Sequence, residues 1–144
     1  MSFSLHPRLS HDTDFVGDLP LSRVLLMNDS RWPWLVLVPR RDGLEELADL
    51  DPPDLVRLIQ ETALASRWLK AHATADKINV GALGNVVRQL HVHVVARRAG
   101  DPAWPGPVWG FGAAVPYGDA EFRALTTAAR TGMLVANVGG QVLT

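Results

Sequence analysis

Gln89-Leu90-His91-Val92-His93-Val94-Val95-Ala96-Arg97 alternates polar and apolar residues from its first position to Val94. A period of two belongs to a β-strand, because successive side chains point to opposite faces. Leu90, Val92 and Val94 then share one face, and Gln89, His91 and His93 the other. Two side chains at this spacing stand ~6–7 Å apart on one side of a strand. From the spacing alone, an exposed sheet face that happens to hold two histidines and a functional pair are equally good readings.

The residues just upstream bear on that choice. Lys77–Leu83 reads as a strand running into a turn at Gly84-Asn85, and Asn79, Gly81, Gly84 and Asn85 are small or turn-forming. Glycine permits close backbone approach, and successive N–H groups can cradle a phosphate. An ordinary hairpin turn uses the same residues. If the two strands are neighbours, one phosphate can touch both the turn and the histidine row. A neutral imidazole is a good nucleophile near pH 7. It attacks phosphorus without a separate base and leaves a phosphoramidate that water cleaves.

Further upstream, Leu21–Asn28 and Trp34–Val38 are aliphatic runs joined by a short segment with Pro33, a hairpin pattern. Leu44–Leu50 has the spacing of a short helical turn. Asp51-Pro52-Pro53 is a helix start, with a capping side chain followed by proline. From Pro52 to about Ala73, Leu55, Leu58, Ile59, Thr62, Ala63, Ala65, Ser66 and Leu69 form an apolar stripe, with Glu61 among the residues largely outside it. Phe3–Asp18 reads as a loop or edge segment laid over the domain. Asp101–Gly118, rich in Pro, Gly and Trp, predicts no regular element. Asp119–Arg130 predicts a second helix capped by Asp119, and Met133–Thr144 a short strand or a partner-binding arm. The order hairpin, helix, hairpin implies an α+β fold. We expect an antiparallel sheet of about five strands with the long helix on one face. Residues 1–144 form one domain, with its core at about 21–110 and a helix and tail at about 118–144.

The 144 residues carry no cysteine, which excludes disulfides, thiolate metal sites and cysteine nucleophiles. A net charge of −1 gives no bulk attraction to nucleic acid polymers or anionic membranes. The opening MSFSLHPRLSHD does not read as a secretory signal, and the cytoplasm is the expected location. His6, His11 and His72 read as surface residues. Arg88, Arg97 and Arg98 read as solvated strand ends. Any of Trp32, Trp34, Trp104 and Trp109 could stack on a ligand. A metal bound by His91 and His93 would want a third protein ligand that no spacing supplies, so no metal or other cofactor is expected.

Gln89–Val95 resembles the histidine triad motif, His-φ-His-φ-His-φ-φ with φ apolar, with Gln89 standing in place of the first histidine. Asn79–Asn85 resembles that family's asparagine- and glycine-bearing approach to its motif. Met27–Arg40 resembles its ribose-side hairpin, with Trp34 where many members carry a further histidine. Trp104-Pro105-Gly106 resembles the Trp-Pro segment that some members place near the site. The resemblance implies a nucleoside phosphate substrate, a covalent nucleotidyl-histidine intermediate and a homodimer. It implies His91 as the nucleophile, and His93 as a ligand of the phosphate and leaving group, with Gln89 completing the catalytic row. Substrate would be held by Asp29 on the ribose, by Asn79 near the phosphate, and by backbone around Gly84, Asn85 and Val87, with Trp104 close by. The expected activity is hydrolysis or transfer of a nucleotidyl group from a dinucleoside polyphosphate, a phosphoramidate or a related conjugate. The competing reading is a nucleotide-binding regulatory module without significant turnover.

Overall fold

Alternation and aliphatic content build the centre of the molecule. The structure, a computed structural model, describes residues 2–135. Strands β1 (Thr13–Asp18), β2 (Ser22–Met27), β3 (Trp34–Pro39), β4 (Lys77–Gly81) and β5 (Val92–Arg97) form one antiparallel sheet in the order β1-β2-β3-β5-β4. Helix α2 (Pro52–Ala73) is capped by Asp51, whose carboxylate accepts the Asp54 N–H, and carries proline in its first turn. Helix α3 (Asp119–Arg130) is capped one residue earlier than its sequence implies, by Gly118 instead of Asp119. Leu47–Asp49 is a short 3₁₀ turn, as the spacing from Leu44 suggested. Residues 131–135 close the described chain in a π-helical turn, and the rest of the tail expectation falls outside the described residues. No helix among the described residues is long and apolar enough to cross a membrane.

The central strands β3 and β5 are buried on both faces, which settles against the exposed-face reading of the histidine row. One core lies under α2 and α3 and contains Leu35, Leu37, Leu90, Val92, Val94, Leu58, Ala65 and Leu69. A second core covers the opposite face and contains Trp34, Val36, Val38, Val95, Trp32 and Val108. Its cover comes from segments with no periodic signal. Phe3–Asp18, expected as a loop or edge segment, holds helix α1 (Pro7–Asp12) as well as edge strand β1. Leu9 of α1, Val108, and the partly buried Phe3, Leu5 and Trp109 pack against this face.

Two polar residues were misplaced by pattern alone. Glu61 falls outside the apolar stripe yet is fully buried, because its two oxygens accept the N–H groups of Leu21 and Ser22 at 2.8 Å each. It thereby ties α2 to the start of β2 and satisfies donors that burial would otherwise orphan. Arg97, expected at a solvated strand end, is 1% exposed. It donates to Asp101 through Nε (2.8 Å) and Nη2 (2.9 Å), and to Asn79 Oδ1 through Nη1 (2.8 Å). Arg88 is exposed and pairs with Glu45, and Arg98 is exposed and meets the Ala73 carbonyl.

Candidate active site

The site forms where β5 begins. Regular pairing starts at Val92, so His91 stands one residue before the strand and His93 one residue inside it. Both are 7% exposed, and their rings meet edge to face with centroids 4.8 Å apart. They line a cleft of about 410 Å³, large enough for a small-molecule ligand. Its walls come from α1 (Arg8, Leu9, Asp12), the end of β2 and its turn (Met27, Asp29, Arg31), the glycine loop Leu83–Val87, and Val108–Gly112.

The hydrogen bonds decide the chemistry of each imidazole. His91 Nδ1 lies 2.7 Å from the Gln89 carbonyl. A carbonyl only accepts, so Nδ1 carries the proton and Nε2 carries the lone pair. His93 is the reverse. Its Nδ1 accepts the Trp34 Nε1–H at 3.0 Å. Indole only donates, so in His93 Nδ1 holds the lone pair and Nε2 the hydrogen. Burial, and then the neighbouring His91, push the His93 pKa down to about 3. The row thus presents a nucleophilic nitrogen beside a neutral donor. Trp109 completes the aromatic wall, 5.7 Å from His93 and 6.4 Å from Trp34. It packs against Gly81, where a Cβ would stand 3.1 Å from the indole.

The loop after β4 bends back toward the histidines through Gly84, whose φ of +73° falls in the left-handed region that glycine adopts readily. The N–H groups of Gly84 to Val87 take no backbone partner among the described residues. Trp109 Nε1–H is also buried without a partner. At the other end of the cleft Asp29 is 2% exposed and receives Arg31 Nη2 at 2.8 Å and Nε at 3.0 Å, with the backbone N–H groups of Arg31 and Val115. Burial pushes the Asp29 carboxyl up, but these donors outweigh it and hold it below the usual carboxylate range.

A HIT domain model matches residues 8–100. The chain belongs to the histidine triad (HIT) family. Its fold matches crystal structures of histidine triad proteins from Sinorhizobium meliloti (52% identity over 90% of this chain and 96% of that one, TM-score 0.88) and Bradyrhizobium japonicum (47%, 92% and 99%, 0.89). A third, from Marinobacter aquaeolei, matches at 43% identity over 92% of this chain and 97% of that one, with a TM-score of 0.89. No curated protein sequence matches.

In this HIT protein the cleft gathers His91, His93, Asp29, Gly84, Asn85 and Val87 from the residues singled out in the sequence. The other three stand apart from it. The Gln89 side chain turns to the N-terminal segment, its Oε1 accepting the His6 N–H and its Nε2 donating to the Ser4 carbonyl, both at 2.8 Å. Asn79 lies on the histidine side of β4 opposite Val95, with its carbonyl taken by Arg97. Trp104 lies over that same guanidinium, 5.6 Å from its ring centre. Arg8, Leu9 and Asp12 went unread as site residues, since a six-residue helix carries too little periodicity to be noticed. Arg31 had a usable signal, an acid and a base two residues apart in one turn. Among the described residues no three His, Asp or Glu side chains are placed to hold a metal.

Proposed function

We propose that this HIT protein hydrolyses or transfers a nucleoside monophosphate group through a nucleotidyl adduct on His91. The donor is a dinucleoside polyphosphate, a nucleoside phosphoramidate or a related conjugate. The observation that carries the reading is the 2.7 Å contact of His91 Nδ1 with the Gln89 carbonyl, which makes Nε2 the nucleophile without a separate base. Nε2 bonds to the α-phosphorus as the bond from phosphorus to the leaving group breaks, the leaving group departs with that electron pair, and the ring becomes a phosphoryl-imidazolium whose positive charge the same carbonyl stabilises. Water then attacks phosphorus, the P–N bond electrons return to Nε2, the water oxygen stays on the nucleoside monophosphate as a hydroxyl, and its second proton passes to solvent.

Three features support the phosphate end. The loop N–H groups of Gly84–Val87 are free of backbone partners, Trp109 Nε1–H lacks one, and His93 Nε2–H is a neutral donor beside the nucleophile. Asp29 and Arg31, at the far wall of the cleft, suit ribose hydroxyls. One observation favours the regulatory module instead: the Gln89 side chain is spent on Ser4 and His6 and brings no group to the reacting centre. The proposal includes a homodimer and a cytoplasmic setting. Val56 and Ile59 of α2, 59% and 62% exposed, and Val80 of edge strand β4, 51% exposed, are surfaces a second copy would cover.

The test is to trap the intermediate. Wild-type protein mixed with a radiolabelled adenosine conjugate and quenched in alkali is expected to carry label on His91, since phosphoramidates survive base. His91→Ala is expected to carry none and to lose turnover by at least about 10³-fold. Mononucleotide binding without label or turnover would leave the regulatory module standing.

A further inference from the structure

Besides its histidines the cleft is lined by Arg8, Asp12, Asp29 and Arg31, and these form two pairs of different kinds. Arg31 and Asp29 are closed on each other at 2.8 Å, with side chains 15% and 3% exposed. Arg31 spends Nε and Nη2 on Asp29 and Nη1 on the Phe111 carbonyl. Arg8 is 3.8 Å from Asp12, beyond hydrogen-bond distance, with side chains 63% and 44% exposed. Its guanidinium donates no hydrogen bond among the described residues, while Asp12 is also met by His11 Nδ1 at 3.1 Å. Arg8 is therefore the cation of the cleft with donors to give. A chain of net charge −1 has no bulk field for an anion, so the attraction has to be local.

An arginine on a six-residue helix is useful only if the helix is held, because so short a helix does not stand alone. Helix α1 is tied at three places. Leu9, 5% exposed, is sunk in the second core beside Phe3 and Leu5. The Thr13 hydroxyl donates to the Leu9 carbonyl at 2.6 Å where β1 begins. At the other end the Gln89 amide accepts from the His6 N–H and donates to the Ser4 carbonyl, both at 2.8 Å, and His6 Nδ1 accepts the Arg8 N–H at 3.1 Å. The same Gln89 meets His91 Nδ1 through its backbone carbonyl at 2.7 Å. One residue thus orients the nucleophile with its backbone and the arm that carries Arg8 with its side chain.

We infer that Arg8 is an anion-binding residue of the cleft, presented by an N-terminal arm that the Gln89 side chain clasps. Arg8 takes phosphate oxygens, and Gln89 is a positioning residue that acts through it. The inference rests on the reading of the cleft as a nucleotide site, but not on turnover. A guanidinium stays charged at every working pH and offers two parallel N–H groups to a pair of phosphate oxygens. Opening the loose pair with Asp12 costs little, since both side chains are exposed. The Gln89 side chain brings no group of its own to the reacting centre because it serves the arm instead.

Calorimetric titration of the whole protein with ADP, adenosine and inorganic tripolyphosphate tests this. Arg8→Gln is expected to weaken ADP and tripolyphosphate by at least about 10-fold, the worth of a charge-assisted hydrogen bond, and to leave uncharged adenosine as in wild type. Arg8→Lys, which keeps the charge and loses the fork, is expected to recover part of the loss. Gln89→Ala is expected to weaken ADP as well, and to add nothing in the Arg8→Gln background, because both changes remove one interaction. Unchanged ADP affinity in Arg8→Gln, or equal weakening of ADP and adenosine, would overturn the role of Arg8. Additive losses in the double variant would overturn the clasp. Wild type that binds tripolyphosphate through Arg8 but neither ADP nor adenosine would sink the nucleotide reading and leave Arg8 standing. Wild type that binds none of the three would overturn both.

Discussion

At the scale of single residues, Arg97 shows how a charge at the end of a strand becomes structural. Its guanidinium is bidentate on Asp101, accepted by Asn79 and covered by the Trp104 ring. Removing one partner of a buried pair strands the other, at a cost of about 3–5 kcal/mol. Arg97→Met is expected to lower the denaturant midpoint accordingly, and Asp101→Asn to lower it as well, because it strands the buried guanidinium. The pair also sets an acid limit. The Arg97 guanidinium holds the Asp101 carboxyl well below the usual carboxylate range. A depressed carboxylate contributes stability that is present above its unfolded pKa of about 4 and lost as pH falls below it. Wild type is therefore expected to lose stability on acidification below about pH 4, with a shallower loss in Asp101→Asn, both read from urea melts between pH 2 and 6.

At the scale of elements, the N-terminal segment matters more than its length suggests. The Gln89 amide meets the backbone of Ser4 and His6 as a neighbouring strand would, one acceptor and one donor. His6 then caps α1 by accepting the Arg8 N–H on Nδ1, so the clasp leads into the helix that brings Arg8, Leu9 and Asp12 to the cleft. Gln89→Ala removes two exposed hydrogen bonds, at the low end of their range and together about 1.4 kcal/mol. Amide hydrogen exchange in residues 3–9 is expected to accelerate by about 10-fold, with β5 unchanged. Uniform acceleration across the sheet would instead give Gln89 a global role. The Gln89 carbonyl, which orients His91, survives any substitution at this position.

At the scale of the whole molecule, the sheet runs from a β1 edge carrying α1 to a β4 edge that pairs with no further strand among the described residues. Val80 on that edge, with Val56 and Ile59 on α2, leaves apolar surface that no other described residue covers. The homodimer proposed above predicts that light scattering reports twice the chain mass at micromolar concentration. Ile59→Glu is expected to shift the protein toward monomer without loss of helix by circular dichroism. A wild-type monomer at all concentrations would dispose of the dimer and leave the His91 chemistry untouched.

What the sequence determined by itself were the features written in short-range periodicity and chemical identity. Alternation in Gln89–Val94 placed Leu90, Val92 and Val94 against the helices, and aliphatic runs plus Asp51-Pro52-Pro53 placed the hairpin and α2. Residue type alone made His91 and His93 the centre of interest. The tertiary structure decided what depends on partners distant in the chain. His93 takes its tautomer from Trp34, 59 residues away, and Gln89 finds Ser4 and His6 across more than 80. Glu61 and Arg97 read as surface charges until the fold supplied N–H groups and a carboxylate to desolvate with them. The second cover of the sheet comes from segments rich in Pro, Gly and Trp and from a six-residue helix. Burial there follows from the shape of the surface beneath them, and a pattern of period 2 or 3.6 holds no record of that shape.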